Sequence, residues 1–202
     1  KTMDNEMNEE NEIKIDEDKL LEEGQKIAAE VVKRIRTMEG GETVPIMIAL
    51  FEQGSKDAVV PGNFISYTKV GEKSNKISKW TNVQEEYYLF PSNKATKDFR
   101  DDATTFANFK QDVEEYFPNF NGVIGKAFYV NKELQKLTIS IDMQFYGKTE
   151  VIGFTQYVAG LVKSSFPEYL SVETKIASSN GQESLIVKRA NSKEPDVYIY
   201  NE

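Results

Sequence analysis

The sequence predicts an α+β domain: a mainly antiparallel sheet with helices packed on one face. Three observations carry this. Helix, strand, strand is the order of elements, three times along the chain. The stretch Leu137–Phe145 alternates with period two, as a sheet with one buried and one wetter face requires. Asn180-Gly181 lies between two β-branched runs and is the strongest short hairpin signal in the chain.

Asp16 is placed to cap the first helix, with Glu17 and Asp18 at the positive end of its dipole. Ile15 and Leu20 flank the cap at the spacing of a hydrophobic staple. Leu20, Ile27, Val31, Ile35 and Met38 recur at helical spacing, with Leu21, Ala28 and Val32 beside them. Gly40-Gly41 suits a left-handed stop. The run Val44–Phe51 is short, apolar and β-branched, and reads as a central strand buried on both faces. Phe64–Val70 is a second strand, with short strands expected around Ile77–Trp80 and Glu86–Phe90. A second helix spans about 98–117, its inner face formed by Phe99, Ala103, Phe106, Val113 and Phe117, widened by Phe109 and Tyr116. Pro118 stops it. Strands at Gly122–Tyr129 and Leu137–Phe145 follow, and Ile48 and Ile141 are expected to be fully buried.

A third helix spans about 149–166, with Val151, Phe154, Val158, Leu161 and Val162 inward. Gly153 and Gly160 share one of its faces and are expected to mark a close backbone approach, because glycine costs a helix about 1 kcal/mol against alanine. Val172–Ala177 and Leu185–Lys188 form the hairpin, and Val197–Tyr200 a last short strand. Phe117-Pro118-Asn119-Phe120 and Phe166-Pro167-Glu168-Tyr169 close successive helices, which suits either an internal duplication or the common placement of proline after a helix. The domain reading is an acidic leader over 1–14 and one α+β domain over 15–202, divisible at 95/96.

Composition limits the chemistry. Hydrophobic residues are 39% and aromatic residues 11% of the 202, too many for a disordered chain. The chain has neither cysteine nor histidine. That excludes disulfides, thiolate nucleophiles, Ser-His-Asp systems and imidazole or thiolate metal ligands. The net charge is −8. Residues 1–23 hold ten acids and three lysines, so they carry −7 and leave −1 for the rest. An acidic chain lacks the concentrated basic face that nucleic acid needs, and charge alone does not dock it on an anionic bilayer. The beginning shows no basic n-region followed by an apolar h-region, and position 1 is not Met, so a fragment or processed form is expected. No calcium-loop, phosphate-loop or dinucleotide motif is present, and no metal or cofactor is expected.

The remaining candidates are aromatic or charged. Trp80, Tyr87 and Tyr88, with Phe90, suit either a groove for a sugar or peptide or a cap on the open end of the core. Phe145-Tyr146-Gly147-Lys148 sits at a strand-to-helix junction and suits a ligand site there or a packed turn; Tyr146 is the candidate binding residue. Arg100 is placed either to pair with Asp101 or Asp102 or to meet a ligand carboxylate. Adjacent acids such as Asp101-Asp102 point in different directions on a helix and form no catalytic pair by themselves.

Several segments, in order, resemble the CamS family, sex pheromone lipoprotein precursors of Gram-positive bacteria. They are Val44-Pro45-Ile46-Met47-Ile48-Ala49-Leu50, Val60-Pro61-Gly62-Asn63-Phe64, Ile77-Ser78-Lys79-Trp80 and Leu89-Phe90-Pro91-Ser92. Arg100-Asp101-Asp102-Ala103, Tyr116-Phe117-Pro118-Asn119 and Gly122-Val123-Ile124-Gly125 extend the match. The longest is Gln144–Lys148 running into Val151–Tyr157. The resemblance implies a pheromone peptide cut from the signal sequence and a mature protein held outside the membrane by a lipidated cysteine. Neither that sequence nor that cysteine lies in this chain, which the resemblance makes the C-terminal folded part. It implies no catalytic residues. The expectation is a non-catalytic extracytoplasmic domain that binds a peptide, carbohydrate or protein partner, reaching the membrane only through the absent anchor. The alternative is a carboxylate-dependent hydrolase of cell-wall carbohydrate, recognisable by two carboxyl groups facing each other across a cleft at catalytic spacing.

Overall fold

The Asp16 carboxylate accepts the backbone N–H groups of Asp18 and Lys19 at 3.1 and 3.4 Å, and so opens helix α1 (Glu17–Arg36) where the sequence places its cap. The computed structural model describes residues 15–54, 60, 62–116 and 122–200. The acidic leader and the Phe117–Phe120 segment lie outside them. The chain divides into two compact units, the first ending at Val83 and the second beginning at Gln84.

In the first unit, α1 precedes a three-stranded antiparallel sheet, β1 (Ile46–Gln53), β2 (Gly62–Val70) and β3 (Thr81–Asn82), in that order. Three expectations change here. β1 is an edge strand and not a central one. Ile46, Ile48 and Leu50 are half-buried on one side, while Met47 and Phe51 on the other are 62% and 48% exposed. The inward face of α1 is built on Ala28 and Val32, leaving Ile27 and Val31 exposed. Gly24 explains the choice: a Cβ there would stand 3.0 Å from Leu50 Cδ1, so the helix meets the sheet through its small residues. Ile77–Trp80 forms no strand, and pairing is confined to Thr81–Asn82. Arg36 knits the unit's loops. Its guanidinium donates to the carbonyls of Gly41, Val44 and Ser74 at 2.7 Å and Gly71 at 2.9 Å.

The second unit starts with β4 (Glu85–Phe90), then α2 (Asn93–Asp98), α3 (Arg100–Tyr116), β5 (Gly122–Val130), β6 (Glu133–Asp142), α4 (Lys148–Ser165), β7 (Ser171–Ser178), β8 (Gly181–Lys188) and β9 (Asp196–Ile199). The expected helix over 98–117 is thus α3, and a short helix that the sequence reading left out, α2, precedes it, set apart at Phe99, whose φ and ψ of −139° and 63° leave the helical region. The strands form one six-stranded sheet in the order β4-β5-β6-β7-β8-β9. All pairs are antiparallel except β6–β7, which runs parallel in register from Lys136–Ser171 to Asp142–Ala177. A parallel pair needs a crossover, and α4 supplies it. The fold class is α+β, antiparallel-dominated, as the sequence predicts.

The core lies between this sheet and helices α3 and α4. Leu137, Ile139, Ile141 and Met143 face it with no more than 1% exposure, against Phe106, Phe109, Phe154, Val158 and Val162. Gly125 is the position where backbone and side chain meet most closely, since a Cβ there would reach 2.6 Å from Phe106 Cε2. Gly153 and Gly160 mark no such approach. A Cβ on Gly160 meets nothing within 4 Å, and one on Gly153 reaches only the Tyr116 hydroxyl, at 3.8 Å. Gly160→Ala is therefore expected to stabilise the second unit by about 0.5–1 kcal/mol through helix propensity. Denaturant titration checks this; destabilisation would mean that the helix is tighter there than the free volume indicates.

Among the described residues, Lys188 is the one charged side chain that is buried. It is 1% exposed, and its ammonium donates to the carbonyls of Pro167, Glu168 and Leu170 at 2.7, 3.3 and 3.0 Å. Burial holds its pKa below the ordinary lysine value.

Candidate functional site

The parallel β6–β7 pair decides where a site forms. Both strands end on the same edge of the sheet, and the crossover helix begins beside them. In such units the carboxyl ends of the strands are where loops diverge and leave room for a ligand. Here that room is a cavity of about 390 Å³. Phe145, Tyr146, Gly147, Lys148 and Val151 line it from the β6–α4 junction, and Asn180 and Glu183 from the β7–β8 hairpin.

Local hydrogen bonds set its walls. The Tyr146 N–H donates to Glu150 Oε2 at 2.7 Å, which ties the loop to the first turn of α4. The Lys148 ammonium donates to the Tyr200 carbonyl. Ser178 Oγ donates to Glu183 Oε1 at 2.6 Å and accepts the Asn180 N–H at 3.1 Å, fixing the hairpin that carries both lining residues. Gly181 holds φ +123°, as the Asn180-Gly181 turn requires. Phe145 is half-buried, its ring centroid 5.8 Å from that of Phe154, so the loop is anchored in the core. Tyr146, next to it, is 97% exposed.

Of the five residues singled out in the sequence, Tyr146 alone lines this cavity. Trp80 belongs to the first unit and is half-buried; Tyr87 and Tyr88 belong to β4 of the second. These two tyrosines point to opposite sides of the sheet. Tyr88 is 5% exposed, edge-on to Phe99 and Tyr129, with its hydroxyl 2.8 Å from Glu86 Oε2 and 3.0 Å from Asp98 Oδ2. Desolvation first, then these two carboxylates, hold its phenol protonated well beyond the ordinary tyrosine range. Tyr87 lies on the opposite face from Tyr88, against Phe128, at 4.8 Å between ring centroids. Arg100 is exposed at the start of α3, while Asp102 accepts from the buried Tyr129 hydroxyl at 2.8 Å. Lys148 enters with the junction that the sequence marks, whereas Asn180 and Glu183 are not candidates on sequence grounds. The Asn-Gly turn was their only signal, and it says where the chain reverses, not what it faces.

Among the described residues, no group of three or more acidic side chains gathers into a metal-binding cluster, and no helix is long and apolar enough to cross a membrane.

Comparison with known proteins places this geometry in a family. Among solved structures, the chain is similar to the C-terminal domain of the sex pheromone staph-cAM373 precursor from Staphylococcus aureus, with 29% identity and a TM-score of 0.85. That alignment covers 94% of this chain and 57% of the other. The sex pheromone precursor from Lactobacillus salivarius subsp. salivarius UCC118 gives 36% identity and a TM-score of 0.84, covering 93% of this chain and 55% of that one. A further sex pheromone staph-cAM373 precursor structure gives 25% and 0.60, covering 92% and 66%. The chain thus spans little more than half the length of the first two. No curated protein matches it. The family model described as CamS sex pheromone cAM373 precursor matches residues 2–194, and with nearly the whole chain matched, the protein belongs to the CamS sex pheromone cAM373 precursor family.

Proposed function

We propose that this chain is a non-catalytic, extracytoplasmic binding domain of a CamS-family precursor, with the cavity beside Tyr146 as its ligand site. The observation that carries the reading is an aromatic ring left 97% in water at the mouth of a 390 Å³ cavity. A tyrosine in that position contributes almost no packing, whereas a ligand laid on it would cover a large apolar face at little cost in side-chain freedom. Lys148, Asn180 and Glu183 add donors and acceptors around that face. A flat aromatic surface ringed by polar groups suits a carbohydrate, whose C–H face stacks while its hydroxyls hydrogen-bond.

Hydrolysis is the less favoured reading. A glycosidase needs two carboxyl groups about 5–9.5 Å apart across the bound sugar. Among the described lining residues only Glu183 brings a carboxylate, and it already accepts from Ser178. Pheromone activity, on the family resemblance, belongs to a peptide from a signal sequence and is separable from this domain. The purified domain should leave recipient cells uninduced while a synthetic signal-sequence peptide from a family precursor induces them; induction by the domain alone would overturn that separation.

The cavity is tested directly by calorimetric titration with soluble cell-wall glycan fragments. Tyr146→Ala should weaken binding at least about ten-fold, the loss of one aromatic anchor, and leave the melting temperature unchanged because the ring packs on nothing. Binding indifferent to Tyr146, or absent for the unaltered chain, would sink the proposal. Release of new reducing ends during the titration would select the hydrolase instead.

A further inference from the structure

We propose that one end of the first unit is a docking surface for an anionic lipid bilayer. The stretch 69–80 holds four lysines, Lys69, Lys73, Lys76 and Lys79, against one acid, Glu72, and ends in Trp80. All four lysines are exposed. No ion pair among the described residues engages them, whereas Lys26 and Lys33 on α1 each pair with neighbouring glutamates. Their grouping is built in, because Arg36 holds the carbonyls of Gly71 and Ser74 on either side of Lys73. The same guanidinium holds the carbonyls of Gly41 and Val44, so the lysine loop is tied to the segment leading into β1.

Two apolar side chains stand beside these lysines. Met47 is the cross-strand partner of Lys69 and is 62% exposed. Trp80 adjoins Lys79 and is half-buried. An exposed methionine and a half-buried tryptophan among lysines without an ion pair are a poor surface for water alone. They match a bilayer interface, where ammonium groups meet lipid phosphates and the apolar side chains enter the headgroup boundary. Glu72, together with Glu39 and Glu42 in the loop that Arg36 ties down, tempers the charge, so the apolar contacts are part of the attachment. The whole-chain charge of −8 conceals this end, since residues 1–23 alone carry −7.

The test uses the full chain and extruded vesicles of phosphatidylglycerol and phosphatidylcholine in equal parts, with pure phosphatidylcholine vesicles as reference. Trp80 is the single tryptophan, so its emission reports on this surface alone. Flotation with the anionic vesicles and a blue shift of that emission are expected at low salt, and neither with the neutral ones. Each lysine near an anionic surface strengthens binding about five-fold, so K73E/K76E should weaken it by about 25-fold or more. Met47→Ser should keep the melting temperature but weaken binding to the anionic vesicles at low salt, and 0.5 M salt, which screens the lysines, should release the unaltered chain. No flotation with anionic vesicles, or flotation indifferent to K73E/K76E, overturns the proposal. Tighter binding to soluble polyphosphate than to vesicles at the same phosphate concentration also overturns it, in favour of a polyanion site.

Discussion

Phe154→Ala is expected to lower the unfolding free energy by about 3–5 kcal/mol, the range for emptying an aromatic site in a close-packed core. Phe154 is fully buried on the inner face of α4, with the rings of Phe145 and Tyr116 each 5.8 Å away between centroids. Neither neighbour is free to collapse into the space. Phe145 belongs to the loop that carries Tyr146, and Tyr116 stacks on Tyr157 at 4.3 Å. Urea titration followed by far-UV circular dichroism gives the number. A loss under about 1 kcal/mol would show that α4 is not seated on the sheet as described.

Lys188→Met comes second, at about 2–4 kcal/mol. Methionine keeps the volume of the side chain and removes the donor, so carbonyls of Pro167, Glu168 and Leu170 lose their partner, and that of Leu170 lies in the buried part of the site. An unsatisfied buried acceptor costs about 1–3 kcal/mol. The sign of the pH dependence follows from the lowered lysine pKa. Folding favours the neutral amine more than water does, so stability contributed by this group rises with pH between its folded pKa and the unfolded value near 10.5. The variant should be less stable at neutral pH and should lose that rising limb. Equal stability of variant and parent would mean that water replaces the ammonium on all three carbonyls.

The elements that declared themselves in the sequence are those with one unambiguous period. Leu137, Ile139 and Ile141 alternate with polar neighbours, and only one strand orientation satisfies them. Val151, Phe154, Val158 and Val162 leave α4 a single inner face, and all four are buried. β1 misled because Val44–Phe51 is apolar at every position; such a run fits a central strand as well as an edge strand with one face uncovered. α1 misled because it offers two parallel stripes. Ile27 and Val31 weigh more in hydrophobicity than Ala28 and Val32, yet Gly24 lets the smaller stripe come closer to Leu50. The candidate site was half readable. The Phe145–Lys148 junction and the Asn180-Gly181 turn each signalled themselves, but their meeting depends on the parallel β6–β7 pair. Helix-strand-strand order alone does not distinguish that pairing from a chain of hairpins.

The unequal cores of the two units bear on how the native state opens. Among the described residues of the first unit, the fully buried apolar side chains are Ala28, Val32 and Val70, and the buried Ser66 and Thr68 take places that larger apolar groups fill elsewhere. Thr68 reaches a partner in the Lys79 carbonyl at 2.7 Å, but Ser66 Oγ finds none. With so little area removed from water, the backbone hydrogen bonds of β1 and β2 are guarded by few contacts, whereas those of β6 and β7 lie over an aromatic and aliphatic layer. Amide hydrogens of the first unit therefore exchange with solvent through a sub-global opening of lower free energy, and those of the second only when its sheet unfolds as a whole. The chain is thus expected to open as two cooperative units of unequal protection, with a protease cutting the first well before the second.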